Sequence, residues 1–318
     1  MRNAFVSALS QLAREDGRVV FLSADLGFKI FDQFALEFGG RFMDVGVAEA
    51  TMIGTAAGLA LGGMRPFVYS IAPFVTLRCL EQIRDDLCYH SLPVTIVGVG
   101  GGYSYGHNGA THHALEDIAV LRALPNMTVV CPGDPVEAAA AVRASLGLQG
   151  PMYLRLGRAG EPKVHENEEH FRIGEAITVV DGEDCSLIAT GAILSVALDA
   201  AVRLRTAGVG CRVLSMHTVK PLDTLALERC ARQGRLLVTL EEHGSIGGLA
   251  GAVSEWLAGS RFRAPLLALN AGDSFAHCTG SQEYLRNARG LSAVEVSRAI
   301  LEALPNPFPC CNPDPSQS

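Results

Sequence analysis

Several signatures that would assign a function quickly are missing from this chain of 318 residues. No apolar run reaches the ~18 residues that a membrane-spanning helix needs, so we expect no membrane span. The net charge of −7 argues against a nucleic-acid-binding surface, which requires clustered positive charge. The nine cysteines are dispersed and form no C-x-x-C pair, which predicts reduced, mostly buried thiols in a cytoplasmic protein.

The two common nucleotide-phosphate loops are absent as well. The segment GVGGGYSYGHNGATHHALED (98–117) invites comparison with G-x-G-x-x-G, but the third glycine would fall on Tyr103 or Tyr105. No G-x-x-x-x-G-K-[ST] occurs in the chain. The segment instead follows a buried apolar run, where open parallel sheets bind ligands, and it ends in His112 and His113. Its glycines and imidazoles therefore predict a functional site of another kind.

Short apolar runs that alternate with segments of helical period dominate the rest of the chain. The runs predict strands buried on both faces at 19–22, 66–70, 93–100, 127–131, 152–156, 185–190, 211–216, 235–242 and 265–270. Helices are predicted near 3–15, 49–62, 74–89, 114–124, 134–147, 193–207, 223–232, 247–258 and 291–303. This alternation indicates an α/β fold with mostly parallel sheets flanked by helices.

A polar, charged segment near residue 160 interrupts the alternation and is typical of a linker. We therefore predict two domains, at 1–160 and 176–305, joined by a linker at 161–175. The proline-rich end at 306–318 predicts a disordered tail.

Glu49 is the acid that opens an otherwise small and apolar predicted helix. It could be an ordinary helix-end acid favoured by the dipole, a contribution of ~0.3–1 kcal/mol. The apolar surroundings predict burial instead, and a buried carboxyl that keeps its proton unless paired is suited to general acid chemistry. The other candidates also have ordinary explanations: His112 and His113 could cap a helix, Arg158 could be a solvated charge, and Ile71 and Phe74 could be core residues.

Taken together and in order, these segments resemble the transketolase family. The resemblance is carried by RFMDVGVAEATMIGTAAGLALGGMRPFV, YGHNGATHHALEDIAVLRALPNMTVVCPGDPVEA and YLRLGR, and it continues through KPLDT and LEEHGSIGGLAGAVSE. It covers about residues 1–305 and implies a pyrimidine-binding domain followed by a transketolase C-terminal domain.

The resemblance implies thiamine diphosphate as the cofactor. Full-length relatives bind its diphosphate through Mg²⁺ (or Ca²⁺) with a G-D-G motif, which this chain lacks. The chain therefore resembles the C-terminal subunit of a split transketolase. We expect no metal ligands in this chain, a partner subunit that carries the diphosphate-binding domain, and an α2β2 heterotetramer.

The resemblance also implies a role for each candidate residue. Glu49 matches the glutamate that activates the cofactor aminopyrimidine at N1′, and Phe74 and Ile71 match the wall against that ring. His112 matches a catalytic histidine that contacts sugar hydroxyls, and Arg2 and Arg158 match arginines that bind a sugar phosphate. The implied reaction moves a two-carbon ketol unit from a ketose, commonly a ketose phosphate, to an aldehyde.

Four positions depart from the family pattern and leave the donor and the acceptor open. Asn108 replaces an aspartate, His113 replaces a glutamine, Gly100 stands where many members have histidine, and Lys29 stands in a loop that often carries serine. Two rival functions remain: the β subunit of a 2-oxoacid dehydrogenase, which shares this layout, and a non-catalytic subunit that completes a partner's site.

Overall fold

The computed structural model describes residues 1–27 and 29–304, so the predicted tail at 306–318 lies outside the described residues. The strands are β1 (Val19–Ser23), β2 (Phe42–Asp44), β3 (Arg65–Ile71), β4 (Thr95–Val99), β5 (Thr128–Val130), β6 (Met152–Leu156), β7 (Ile177–Val180), β8 (Cys185–Thr190), β9 (Cys211–Ser215), β10 (Thr218–Lys220), β11 (Leu236–Glu241) and β12 (Leu266–Leu269). The helices are α1 (Arg2–Glu15), α2 (Asp32–Phe38), α3 (Glu49–Leu61), α4 (Ala72–Thr76), α5 (Leu80–Gln82), α6 (Asp117–Arg122), α7 (Pro135–Ala144), α8 (Leu194–Thr206), α9 (Thr224–Gln233), α10 (Leu249–Gly259), α11 (Gln282–Ala288) and α12 (Ala293–Ala303).

Two sheets flanked by helices form the fold, as predicted. The first has seven strands in the order β10-β5-β6-β4-β3-β1-β2, parallel except for β10. The second has five in the order β12-β11-β8-β9-β7, parallel except for β7. The apolar runs become strands because parallel strands covered on both faces bury every side chain, as β1, β4, β6 and β8 do. None of the helices in the described part of the chain is long and apolar enough to span a membrane.

Some elements differ from the prediction. Strands β2, β7 and β10 and helices α2 and α11 were not predicted, because they are short and lack a full apolar period. The helix predicted at 74–89 is interrupted by turns at 77–79 and ends in a π-helix, Ile83–Cys88. The helix predicted at 114–124 begins only at Asp117, since Ala114 pairs with Gly102 in an isolated bridge.

The first sheet positions three candidate segments at one edge. The last residues of β3, β4 and β6 are register partners, Ile71 with Val99 and Val99 with Leu156. The chain leaves each strand at its carboxyl end, so the segments that begin at 72, 100 and 157 start side by side. They carry Phe74, His112 and Arg158, which sequence analysis had selected separately.

Candidate active site

Glu49 begins helix α3, and its side chain is only 2% exposed. Its Oε2 accepts a hydrogen bond from Arg78 Nη1 at 2.6 Å, and its Oε1 accepts one from Ser70 Oγ at 3.2 Å. The predicted burial of Glu49 is therefore confirmed. The two donors offset the desolvation of the carboxylate, because a buried charge is tolerated only when it is paired and hydrogen-bonded.

Phe74 lies beside the Glu49–Arg78 pair. The Arg78 guanidinium carbon is 5.1 Å from the centroid of the Phe74 ring, and the His112 ring centroid is also 5.1 Å from it. Arg78 is half-exposed, whereas Ile71 at the end of β3 is buried and forms part of the wall. A carboxylate, an aromatic face and an imidazole thus converge at the carboxyl end of β3.

The glycine-rich loop after β4 turns its two adjacent histidines towards different neighbours. The ring of His112 lies near Phe74 and, at 6.3 Å, near Tyr105. The ring of His113 is buried and lies 5.1 Å from Tyr103, and burial lowers the pKa of His113. His112 therefore belongs to the candidate site, and His113 belongs to the packing behind the loop.

Two arginines lie beside buried or half-buried tyrosines, Arg158 beside Tyr105 and Arg2 beside Tyr69. The Arg158 guanidinium carbon is 5.2 Å from the Tyr105 ring centroid. Burial raises the pKa of Tyr69, and Arg2 beside its hydroxyl opposes that rise. The buried Arg2 Nε has no hydrogen-bond partner, and within residues 1–27 and 29–304 neither arginine forms a salt bridge. Both guanidinium groups can therefore bind an anion, which suits the planar hydrogen-bonding fork of arginine.

Comparison with known proteins identifies the family to which this chain belongs. Residues 1–161 match the pyrimidine-binding domain of transketolase, and residues 174–294 match the transketolase C-terminal domain. The chain belongs to the transketolase family.

Individual relatives agree with this assignment. The chain is 40% identical over 258 residues to an apulose-4-phosphate transketolase subunit of Phocaeicola vulgatus, and the match covers 80% of this chain and 83% of the relative. It is 38% identical over 303 residues to the 6-deoxy-6-sulfo-D-fructose transketolase subunit SqwH of Clostridium sp. (strain MSTE9), with 95% and 94% covered. A solved split gene transketolase, described as an inactive β4 tetramer, superposes with a TM-score of 0.89 at 36% identity, and the match covers 95% of this chain and 97% of that structure's chain.

Longer members of the family align over only part of their length. The chain is 33% identical to 1-deoxy-D-xylulose-5-phosphate synthase of Heliobacterium modesticaldum, and the match covers 94% of this chain but 46% of that protein. This transketolase-family chain thus matches the two-subunit relatives over most of their length, and the synthase over less than half of its length.

Among the described residues of this transketolase-family chain, two predicted site residues make no side-chain contact with the others. Lys29 is exposed, with φ +66°, and lines a surface cleft with residues of α1 and α2. Asn108 is exposed at the end of a short 3₁₀ turn. No hydrogen bond, ion pair or ring contact of the described residues joins either side chain to His112, Arg2 or Arg158.

Sequence analysis missed three residues of the site: Ser70, Arg78 and Tyr105. Arg78 had a usable signal, because it is the single cation of an apolar segment and stands four residues after Phe74. Tyr105 was named only because it stands where a G-x-G-x-x-G motif would need its third glycine. Ser70 carried no signal, since serine at a strand end is common.

One group of described residues could hold a metal ion, and none of its contacts is with the candidate site. Asp134, Glu137 and His165 have ligand atoms within 4.8 Å of one another. The two ring nitrogens of His165 face different carboxylates, with Nδ1 3.4 Å from Asp134 Oδ2 and Nε2 3.5 Å from Glu137 Oε1. Ser215 donates to Glu137 at 2.6 Å, so the cluster connects the two sheets.

Proposed function

We propose that this chain is the pyrimidine-binding subunit of a two-subunit, thiamine diphosphate-dependent transketolase. The observation that carries the proposal is the buried Glu49 carboxylate beside the Phe74 ring, with His112 on the same ring. A carboxylate and an aromatic face suit an aminopyrimidine, which offers a ring nitrogen and a flat surface. The proposed domains are those predicted from the sequence, at 1–160 and 176–305.

Thiamine diphosphate, when bound, supplies a nucleophilic carbon that accepts the two-carbon unit from a ketose and delivers it to an aldehyde. The protein's own part begins at Glu49, which holds a proton towards N1′ of the pyrimidine. Burial keeps water from competing for that proton. Phe74 and Ile71 form the wall against the ring.

Arg78 must release Glu49 before that proton can be shared. Arg78 Nη1 occupies Glu49 Oε2 at 2.6 Å and Ser70 Oγ occupies Oε1 at 3.2 Å, so N1′ can approach the carboxyl group only after one donor has left. The half-exposed Arg78 side chain can move into solvent while Glu49 remains buried. Ser70 keeps one carboxylate oxygen in place through this exchange.

His112 and the two arginines act on the sugar. His112 is placed to hydrogen-bond sugar hydroxyls and to move a proton at the reacting oxygen. Arg2 and Arg158 bind an anionic end group, and Lys29 and Asn108 are proposed as further substrate contacts. Two relatives are named for sugars that carry a phosphate and a sulfonate, which supports an anionic substrate.

The diphosphate end of the cofactor would be bound by a partner subunit. We propose that an N-terminal transketolase subunit holds the diphosphate and Mg²⁺ or Ca²⁺, and that the two form an α2β2 heterotetramer in the cytoplasm. The names of the relatives that are called subunits support a partner. The seven described cysteines are all free, which suits a reducing compartment.

Co-purification with the partner subunit tests the proposal. The reconstituted complex should transfer a ketol unit from ketose phosphates to aldehydes only when thiamine diphosphate is present, and the purified chain alone should show no turnover. Transfer of an acyl group from a 2-oxoacid to lipoamide would instead identify the dehydrogenase function. A complex whose activity is unaffected by Glu49→Gln would support the scaffold function.

A further inference from the structure

Tyr105 occupies the space beside Gly100. Gly100 directly follows β4 and has φ +87°, a conformation that favours glycine. A Cβ built on Gly100 would lie 2.2 Å from two carbons of the Tyr105 ring. A side chain at position 100 and an aromatic ring at position 105 therefore exclude each other. The Tyr105 ring thus fills, from the other side of the loop, the space that a side chain at position 100 would need.

The Tyr105 side chain lies beside both His112 and Arg158, the two groups that the proposed function assigns to the sugar and to its anionic end. The centroid of the Tyr105 ring is 6.3 Å from the centroid of the His112 ring and 5.2 Å from the guanidinium carbon of Arg158. Burial raises the pKa of Tyr105, while Arg158 and Arg2 act in the opposite direction. The phenol is consequently a neutral hydrogen-bond donor at neutral pH that lies close to two cations.

We propose that Tyr105 is a specificity-determining residue that positions Arg158 and donates its hydroxyl to the terminal oxyanion of the substrate, a phosphate monoester or a sulfonate. The inference rests on the proposed function for the identity of the reaction, but the oxyanion contact rests on the geometry of Tyr105 and the arginines. A ring fixed under Arg158 limits the directions in which that exposed guanidinium can point, so less entropy is lost on binding an anion.

The kinetic test uses the reconstituted complex, D-glyceraldehyde as an uncharged acceptor, and three donors. D-Fructose 6-phosphate and 6-deoxy-6-sulfo-D-fructose carry oxyanions, whereas L-erythrulose carries none. Tyr105→Phe keeps the ring but loses the hydroxyl, so KM for the preferred anionic donor should rise roughly 10- to 100-fold with little change in kcat. Tyr105→Leu also loses the contact with Arg158, which should raise KM about a further 2- to 5-fold.

The controls separate a specificity role from a structural one. KM for L-erythrulose should stay unchanged in both variants, and Tyr89→Phe, at an exposed tyrosine, should change none of the constants. Which anionic donor shows the larger rise identifies phosphate or sulfonate as the end group. An equal loss with charged and uncharged donors, or an unchanged KM in Tyr105→Phe, would overturn the proposal.

A binding measurement keeps the inference testable if the complex shows no ketol transfer. Inorganic phosphate or sulfate should protect Arg158 of the full chain from phenylglyoxal, as read by peptide mass, and Tyr105→Phe should weaken the protection at least several-fold. Equal protection in both proteins would contradict the role of Tyr105. Absence of ketol transfer with intact, Tyr105-dependent protection would refute the proposed function alone.

Discussion

Arg78 and Glu49 form an ion pair in which one partner is half-exposed and the other is buried. The same guanidinium lies over the Phe74 ring. Arg78 therefore makes the two contacts, to a carboxylate and to an aromatic face, that the proposed function assigns to the pyrimidine of the cofactor. This competition makes Arg78 the most informative residue to change.

Arg78→Met should strengthen thiamine diphosphate binding by the reconstituted complex, because the cation that competes for Glu49 is gone. The same variant should lower the free energy of unfolding by about 1–3 kcal/mol, since the buried carboxylate loses a charged donor. Cofactor titration and thermal denaturation measure the two effects. Arg84→Met, at an exposed arginine paired with Asp85, is the control. A tenfold weaker cofactor affinity would mean that Arg78 itself binds the cofactor.

Glu49→Gln should lower kcat by ~10²–10⁴-fold, the usual contribution of a general acid or base. The amide keeps the shape but cannot cycle a proton with N1′. The chain should still fold, because a neutral isostere removes a desolvation penalty and Arg78 is partly solvated. Hydrogen–deuterium exchange at the thiazolium C2 checks the mechanism, with the exposed Glu81→Gln as control. Near-normal exchange in a folded variant would show that Glu49 is only a helix-end acid.

Gly100→Ala should destabilise the chain by about 1–3 kcal/mol through overlap with the Tyr105 ring, besides the strain of a positive φ. Gly63→Ala measures the strain alone, since Gly63 has the same φ of +87° and no atom within 4 Å of its Cβ position. Denaturant unfolding of both variants gives the difference. In the double variant Gly100→Ala/Tyr105→Ala, most of the extra destabilisation of Gly100→Ala over Gly63→Ala should disappear. Strictly additive changes in unfolding free energy would show that the two side chains do not compete for one space.

The stability contributed by the cluster that connects the sheets should fall between pH 5 and pH 8. Burial raises the pKa of Glu137 to about 7, partly opposed by His165. Burial alone would lower the pKa of His165, but Asp134 and Glu137 raise it. Both groups bind protons more tightly when folded, so the stability they contribute is present at low pH and is lost as pH rises through their folded pKa values. Burial lowers the pKa of the neighbouring His217 to about 3, so its contribution to stability has the opposite sign and rises with pH through the ordinary histidine range. The difference between the wild type and a Glu137 variant therefore isolates the contribution of the cluster.

Glu137→Gln should flatten that dependence by roughly 1–3 kcal/mol across the range. Thermal unfolding of the wild type and the variant at intervals between pH 5 and pH 8 measures the slope. The exposed Glu169→Gln should leave it unchanged. An unaltered slope in Glu137→Gln would show that the cluster does not titrate as a unit.

Local pattern was enough to predict most of the long elements. Helix α1, predicted near 3–15, buries Phe5, Leu9 and Leu12 at helical spacing, and β8 is buried along its whole length, as its apolar run predicts. The break at 77–79 could not be predicted, because apolar residues continue at helical spacing through it. It is decided by tertiary contacts, among them the pairing of Arg78 with Glu49.

The candidate site also has features that the sequence predicts and features that only tertiary contacts decide. The resemblance selected Glu49, Phe74, His112 and Arg158, and the structure brings these residues to one edge of the first sheet, because residues that follow the ends of parallel strands lie at the same edge. Their orientation was not predictable from composition: His112 and His113 are adjacent and identical in type, yet the loop turns them towards different neighbours. The role of Tyr105 depends on a gap at Gly100, which exists only in three dimensions.

Strand β10 belongs to the second half of the chain but completes the first sheet, where it covers the edge of β5. Lys220, at its end, donates to the carbonyl oxygens of Arg122 and Leu124. Residues 1–161 produced by themselves would leave the β5 edge without its partner and free to pair with the same edge of another copy. The two domains are therefore poor modules for exchange between relatives, and a chimera that keeps β10 with its original sheet should be the more soluble one.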